Sequence, residues 1–320
     1  MNKLRDKIKK VIIDEELITK GERVVLGLSG GPDSICLLEI LFSLKDEIGF
    51  TLEALHVNHM IRGIEADEDE LFLKEYCQEK GVPLTSVKLD VSALSKENDK
   101  TEEEMGRDLR ILELKKLGAD KIALAHNKND QAETILMRII RGTGVSGLCG
   151  MEIKRADGVI RPLLRTPRAE IEEFVAEHNL PARQDKTNFE AEYTRNKIRL
   201  ELLPKLLEFN PNIVDALDRL SASASDDEEL LSAIADEFLQ SNRDKALKIK
   251  DLSQLSDAVF ARVITRYLAS FGLTEDISAV HIKALRAAVK KNVGNKTIEF
   301  PHGFNILLKN GNIEVLKRDA

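Results

Sequence analysis

The chain has 320 residues, 42% hydrophobic and 32% charged, which is enough apolar material for one large core or two smaller ones, and two domains are expected. A formal net charge of −7 argues against sequence-independent DNA binding, which draws most of its affinity from Lys and Arg neutralising phosphates. No apolar run approaches the ~18 residues of a membrane span, and Met1 to Lys7 leads into a charged amphipathic helix and not a signal sequence, so a cytoplasmic protein is expected.

The first strong element is Val24-Val25-Leu26-Gly27-Leu28, an apolar run that breaks into Ser29-Gly30-Gly31-Pro32-Asp33-Ser34 and resumes as Ile35 to Leu41. It reads as strand, anion loop, helix. Adjacent glycines let backbone approach an anion, the Ser29 and Ser34 hydroxyls are placed to donate to phosphate oxygens, and the helix aims its positive end at the same point. A loop that binds the terminal phosphates of ATP for their transfer needs G-x-x-x-x-G-K-S/T, and no lysine follows these glycines.

Further along, Phe50 to Val57 reads as a second strand, Glu65 to Lys80 as an acidic helix, and Leu84 to Val91 as a third strand. A helix from Thr101 to Leu117, a strand from Lys121 to His126 and a helix from Asp130 to Arg141 come next, followed by a glycine-rich loop, Gly142 to Gly147, expected to be mobile. A fifth strand is expected over Gly158 to Pro162, and Thr166-Pro167-Arg168-Ala169-Glu170 looks like a helix start. Strands alternating with helices imply right-handed crossovers and a doubly wound parallel sheet, whose ligands lie beyond the carboxyl ends of the strands. Ser29 to Ser34, His56 to Arg62 and His126 to Glu133 all fall at such ends.

Pro211 marks a change of character. From Asn212 to Lys291 the pattern is helical, and Lys296 to Phe300 and Phe304 to Val315 read as short strands, with Asn310-Gly311 as a two-residue hairpin turn. Residues 1–210 are thus expected to form the catalytic domain and 211–320 a smaller α+β, mainly helical, domain ending in a short β-hairpin. Between Lys154 and Lys205 nine Arg and Lys residues accumulate, from Arg155 to Arg199, a pattern that suits steering of a polyanion and equally suits solvated helix faces with paired charges. Asp130 and Glu133, at i,i+3, project from one face of a helix start. The pair suits an ammonium ligand, and it also reads as an N-cap and a first-turn acid. His56 and His59 diverge at a strand end and have no cysteine partner, so they are not read as a zinc site.

The string S-G-G-x-D-S resembles the pyrophosphate loop of the N-type ATP pyrophosphatases, which cleave ATP to AMP and pyrophosphate to adenylate a carbonyl oxygen. Its succession by H-V-N-H-x-x-R at His56 to Arg62, by A-H-x-x-x-D-Q-A-E-T running into R-G-T-G at Ala125 to Gly144, and by D-x-T-N-x-x-x-x-Y-x-R-N-x-I-R at Asp185 to Arg199, followed by Pro204, resembles the tRNA(Ile)-lysidine synthetases. Glu103 to Arg110 and Phe300-Pro301-His302-Gly303 add to the likeness. The fold it implies is the adenine nucleotide alpha hydrolase type. The reaction it implies is adenylation of the C2 carbonyl oxygen of the wobble cytidine in a CAU-anticodon tRNA(Ile), then displacement of AMP by the ε-amine of free L-lysine.

Carried onto this chain, the resemblance implies that Ser29, Gly30, Gly31, Pro32, Asp33, Ser34 and His56 contact ATP, and that Asp33 positions Mg²⁺. Arg107, Arg110, His126 and Arg195 are implied as positive charge at the α-phosphate, Asp130 and Glu133 as the lysine site and an aid to deprotonation, and Asn196 and Arg199 as RNA contacts or braces. Many members carry a second histidine and a second acid where this chain has Asn127 and Asn129. Longer members extend further at the C-terminus, so a reduced tRNA-binding region is expected, and a homodimer stays open. A tRNA thiolase of the same group needs paired cysteines, whereas Cys36, Cys77 and Cys149 are far apart, form no C-x-x-C and read as small hydrophobes without disulfides. An inactive nucleotide- or RNA-binding relative is the remaining alternative, and neither alternative includes a membrane partner.

Overall fold

Strand β1 (Arg23–Gly27) lies at the centre of a parallel sheet because Val24, Val25 and Leu26 offer no polar side chain to water and both faces of the strand are covered. The computed structural model describes residues 3–61, 63–183, 194–243, 246–291 and 294–317. In chain order the first elements are α1 (Lys3–Asp14), β1, α2 (Pro32–Ile48), β2 (Thr51–Asn58), α3 (Ile64–Lys80), β3 (Leu84–Lys88), α4 (Val91–Glu97), α5 (Glu102–Lys116) and β4 (Lys121–Ala123). They continue as α6 (Lys128–Arg141), α7 (Val145–Leu148), β5 (Val159–Ile160), α8 (Arg168–Glu177), α9 (Thr194–Lys197), a π-helical turn over Ile198–Leu202, α10 (Leu203–Phe209) and α11 (Ile213–Ser241). The last are α12 (Ile249–Gln254), α13 (Asp257–Ala269), α14 (Ala279–Lys290), β6 (Lys296–Glu299), β7 (Phe304–Lys309) and β8 (Asn312–Lys317).

The five parallel strands run in the order β3-β2-β1-β4-β5, so the direction of winding reverses between β1 and β4. A crevice opens at that reversal, outside the carboxyl ends of the two strands. Side-chain alternation assigns the two cores. Val24, Leu26, Leu52, Ala54, Ala123 and Ile160 join the cluster formed with α1, α2 and α8, while Val25, Leu55, Val57, Ile122 and Val159 meet Ile111 and Leu114 of α5 on the other face. Helix α2 is buried almost all round, from Ile35 to Leu44, because it lies under the sheet and also against α8 and α1. No helix among the described residues is long and apolar enough to cross a membrane.

The chain divides into two compact units, Met1–Ala222 and Ser223–Ala320. The first continues past Pro211 because Ile213, Val214 and Leu217 of α11 pack with Ile135 and Leu136 of α6 and Leu203 of α10. In the second unit, α12 to α14 and the antiparallel sheet β6-β7-β8 share a core around Phe260, Leu285 and Ile306. Its final segment is thus a three-stranded sheet and not a lone hairpin, although the Asn310-Gly311 turn forms as its sequence predicts, with φ of +52° and +77°.

Several boundaries differ from expectation. β3 stops at Lys88 because Asp90 caps α4 by accepting from the Ala93 N–H, so Val91 begins a helix and does not end a strand. β4 stops at Ala123, and the residues up to His126 carry the chain off the ladder toward the start of α6. The glycine-rich segment is not featureless: it contains the single helical turn α7.

The β2–α3 connection is pinned by Asn58, which donates from Nδ2 to Asp67 Oδ1 at 2.9 Å and to Glu70 Oε2 at 3.1 Å, and accepts from the Met60 N–H. Burial raises the Glu70 carboxyl, but the hydrogen bonds from Lys74 and Asn58 outweigh it and bring it from 4.5 down to about 2. The folded value lies below the unfolded one, so the stabilisation is complete above the ordinary glutamate range and is lost as pH falls through about 2. Glu70→Gln is expected to lower stability by about 1–3 kcal/mol at neutral pH, and thermal melts should show the gap closing as the pH is lowered toward the folded-state value.

Candidate active site

The loop after β1 owes its shape to Gly30, whose φ of +87° lies in the region that side chains avoid, and to Pro32, which starts α2 without an N–H to satisfy. Gly31 caps α2 with no side-chain hydrogen bond, so the first-turn N–H groups of Asp33 and Ser34 have no carbonyl of the helix to meet. Backbone donors of this kind suit an anion. The serine hydroxyls do different work from that expected. Ser34 Oγ donates to the Gly31 carbonyl at 3.0 Å and accepts from the Gly30 N–H at 3.1 Å, and Ser29 Oγ donates to Ser34 Oγ at 3.1 Å, so both brace the loop and do not point outward as donors.

Facing this loop is the start of α6. Asn127 caps the helix by accepting the N–H groups of Asn129 and Asp130, and Asp130 Oδ2 returns a bond to the Asn127 N–H at 2.9 Å. Asn127 also donates from Nδ2 to Asp33 Oδ1 at 3.1 Å, joining the pyrophosphate loop to α6. Burial, with the negative charge of Asp130 added, pushes Asp33 up to about 6, against the pull of that amide. Asn129 accepts the Arg168 N–H, tying α6 to α8. Asn127 and Asn129 are therefore structural parts of the site.

Asp130 and Glu133 emerge together from the first turn of α6, as their spacing predicts, and both are buried. They meet two arginines. Arg195 binds Glu133 Oε2 from Nε and Asp130 Oδ1 from a terminal nitrogen, both at 2.9 Å. Arg199 binds Glu133 Oε1 at 2.6 Å, Glu133 Oε2 at 2.9 Å and Asp130 Oδ1 at 3.0 Å. Two carboxylates and two guanidiniums thus form one cluster. Arg195 is held inside it and is not a lone cation for a phosphate, and Arg199 braces the acids. Burial raises the Asp130 carboxyl, but Arg195 leads the charges that bring it below the ordinary range, which makes it a poor acceptor of a proton from an amine.

The two histidines on this rim differ. His56 Nδ1 meets the Leu28 carbonyl at 2.9 Å, and since a carbonyl only accepts, the proton is on Nδ1 and Nε2 carries a lone pair. Burial lowers its pKa and keeps it neutral at pH 7. His126 Nδ1 accepts from Arg161 Nε at 3.3 Å, and burial pushes the ring down to about 4 despite the nearby Asp130. His126 is therefore neutral and does not supply the positive charge expected of it.

Positive charge comes from α5. Arg107 is exposed and Arg110 half-buried, and Arg110 donates to His59 Nε2 at 3.3 Å. The His59 ring lies beside Gly106, where a Cβ would stand 3.4 Å from its Cε1, an ordinary contact. A cavity of about 2050 Å³ is lined by Asp33, His56, Arg107, Arg110, His126, Asp130 and Arg195, whereas Gly30 and Glu133 are not in its lining. It is also lined by Arg161 and Arg168, which sequence reading counted only among the basic residues or as part of a strand end. The signal for Arg161 was its place at the carboxyl end of β5, and that for Asn127 was the N-x-x-D pattern of a capping box.

No group of three or more His, Cys, Asp or Glu side chains suited to a metal occurs among the described residues. Asp33, a half-buried carboxylate beside the loop, fits an ion that takes most of its ligands from phosphates and water, as Mg²⁺ does. Arg62 and the Asp185 to Tyr193 part of the last motif lie outside the described residues.

The glycine-rich segment is tied down from α6. Arg138 donates to the Gly147 and Gly150 carbonyls, and the Gln131 amide bonds Cys149, Met151 and Ser221. Gly150 has φ of +66° and a Cβ there would lie 2.5 Å from the Gln131 amide, whereas Gly142, φ of +80°, has open space around it. Gly150→Ala should cost about 2 kcal/mol or more and Gly142→Ala about 1, a difference that urea unfolding of the two variants will show.

Residues 1–206 match the model of the PP-loop domain, and residues 247–311 match that of the TilS substrate binding domain. The tRNA(Ile)-lysidine synthase of Clostridium tetani is 38% identical over 309 residues, 93% of this chain and 66% of that protein. The tRNA(Ile)-lysidine synthase of Clostridioides difficile is 38% identical over 320 residues, 96% of this chain and 69% of that protein. The chain thus spans about two thirds of the length of these curated relatives. Among solved structures, the U34-tRNA thiolase NcsA from Methanococcus maripaludis, with its 4Fe-4S cluster, has a TM-score of 0.54 at 21% identity, covering 68% of this chain and 78% of that one. At that identity the likeness concerns the fold alone.

Proposed function

The chain belongs to the tRNA(Ile)-lysidine synthase family, whose PP-loop domain uses ATP, and on that premise we propose that it joins free L-lysine to C2 of the wobble cytidine of a CAU-anticodon tRNA(Ile) through an adenylated tRNA. The C2 carbonyl oxygen attacks the α-phosphate of ATP and pyrophosphate leaves. The lysine ε-amine then attacks C2, AMP leaves, and lysidine remains.

The observation that carries this reading is the Asn127 bridge between the pyrophosphate loop and the charged cluster of α6. It sets an anion site for a leaving group next to a site of mixed charge. The N–H groups opening α2 receive phosphate oxygens, and Arg107 and Arg110 add the positive charge that favours negative charge developing at the α-phosphate. Asp33 would hold Mg²⁺ together with the phosphates, and the ion, when bound, neutralises their charge. His56, with a bare Nε2, offers an acceptor to the nucleotide.

Free lysine carries two ammonium groups and one carboxylate. The cluster of Asp130, Glu133, Arg195 and Arg199 suits such a ligand because it presents both signs of charge in a buried setting, where charged hydrogen bonds are strong. Binding exchanges partners within the cluster and leaves no buried charge alone. The depressed Asp130 carboxyl suits binding better than proton removal.

Within the second unit, residues 247–311 are the proposed contact with the tRNA body, following the family model they match. A thiolase reading has less support. Cys36 and Cys77 are buried, and burial raises both thiols, that of Cys77 to about 11, while Cys149 bonds the Val145 carbonyl, so the three are not poised as reactive partners.

Labelled lysine, ATP and Mg²⁺ should yield label in a CAU-anticodon tRNA(Ile) transcript and none in the methionine tRNA with the same anticodon. Asp33→Ala is expected to abolish tRNA-dependent pyrophosphate release. Glu133→Gln should retain pyrophosphate release while raising the lysine KM at least about tenfold, the loss of one charged contact. Asp130 is the less informative target, because it also caps α6. Label in neither tRNA, with pyrophosphate still released, would mean that another nucleophile is used.

A further inference from the structure

We propose that Arg161 is a positioning residue that fixes His126 as the Nε2–H tautomer and makes it a neutral N–H donor to an anionic oxygen in the cavity; the choice of a phosphate oxygen as that acceptor rests on the adenylation proposed above. Arg161 follows β5 and is buried, 6% exposed. Its Nε–H meets His126 Nδ1 at 3.3 Å and one terminal nitrogen donates to the Glu152 carbonyl at 2.7 Å, with no carboxylate among the described residues within ion-pair distance. A guanidinium has donors and no acceptor, so the atom it meets must carry a lone pair. The single proton of the neutral ring is then on Nε2, which has no partner among the described residues, on a side chain that lines the cavity.

The usual arrangement is the reverse: a carbonyl or carboxylate takes the Nδ1 proton and leaves Nε2 as base or ligand. This protein contains that arrangement too, at His56. The two rings, at the ends of strand β2 and just beyond β4, thus present opposite faces to one cavity, His56 an acceptor and His126 a donor. Around His126 stand Asp130 of α6, Arg161, Arg195 of α9 and Arg110 of α5. Burial and the three cations, against the pull of Asp130, keep the ring from taking a second proton, and the guanidinium on Nδ1 polarises the Nε2–H toward an anion. A neutral donor preorganised in this way needs no proton transfer to act on a phosphate oxygen.

The test is a two-bond proton–nitrogen correlation spectrum of the full chain labelled with ¹⁵N-histidine, with the rings assigned from His126→Gln and His56→Gln. Near neutral pH, His126 is expected to show a protonated Nε2 and a bare Nδ1, and His56 the opposite. In Arg161→Leu, His126 should lose its preference between tautomers and titrate toward the ordinary value of about 6.5. A His126 protonated on Nδ1 in the unmodified chain, or a spectrum that Arg161→Leu leaves unchanged, would overturn the proposal; if that variant does not fold, the unmodified chain decides alone. For the reaction, His126→Gln keeps a neutral N–H and should retain pyrophosphate release within about tenfold, whereas His126→Leu should lose about a hundredfold in kcat. Equal losses in the two variants would count against the donor role. Because the spectrum reads the rings without substrate, failure of lysidine synthesis and failure of this assignment are told apart.

Discussion

How helix α6 begins determines what the carboxyl end of the sheet can do. The Asn127 side chain and the Asp130 carboxylate satisfy one another's backbone N–H groups, and each has an atom left over. Asn127 uses its amide on Asp33, and Asp130 uses its second oxygen on Arg195 and Arg199. One capping box therefore holds the pyrophosphate loop, the acids of α6 and the arginines of α9 and the π-helical turn in fixed relation. A cap elsewhere is a matter of about 1 kcal/mol of helix stability, and here the same geometry also sets the distance between the loop and the charged cluster.

The charges of the site are kept apart by chemistry and not only by distance. What the loop offers an anion is its backbone N–H groups, since the hydroxyl hydrogens of Ser29 and Ser34 are engaged within the loop. The acids are matched by arginines, and the histidines are held neutral by burial, so that a large buried charge density exists without an uncompensated ion in either half. Arg161 is the exception, a buried cation whose partners are a ring nitrogen and a carbonyl. Burial lowers it to about 10, so it still carries its charge at neutral pH.

Much of this was legible from residue order. The run into Ser29-Gly30-Gly31-Pro32-Asp33-Ser34 requires a strand, a tight turn and a helix start, and alternating strands and helices require a parallel sheet with its ligands at one rim. The i,i+3 spacing of Asp130 and Glu133 was enough to put both on one side of α6. What they face was not readable, because Arg195 and Arg199 lie more than sixty residues away in the chain and reach them only through the packing of α9 and the π-helical turn on α6. Strand ends were misplaced where a local cap, Asp90 or Asn127, competed with the ladder for backbone groups.

The sequence by itself determined the fold class, the anion loop and the identity of most side chains on the rim, since these follow from local periodicity, glycine and proline geometry, and motif order. Tertiary structure alone decided their states: that the serines brace the loop, that two arginines neutralise the acids, and that His56 and His126 are neutral with opposite tautomers. Protonation and pairing depend on burial and on partners brought close by folding, so they belong to the environment of a residue and not to its place in the chain.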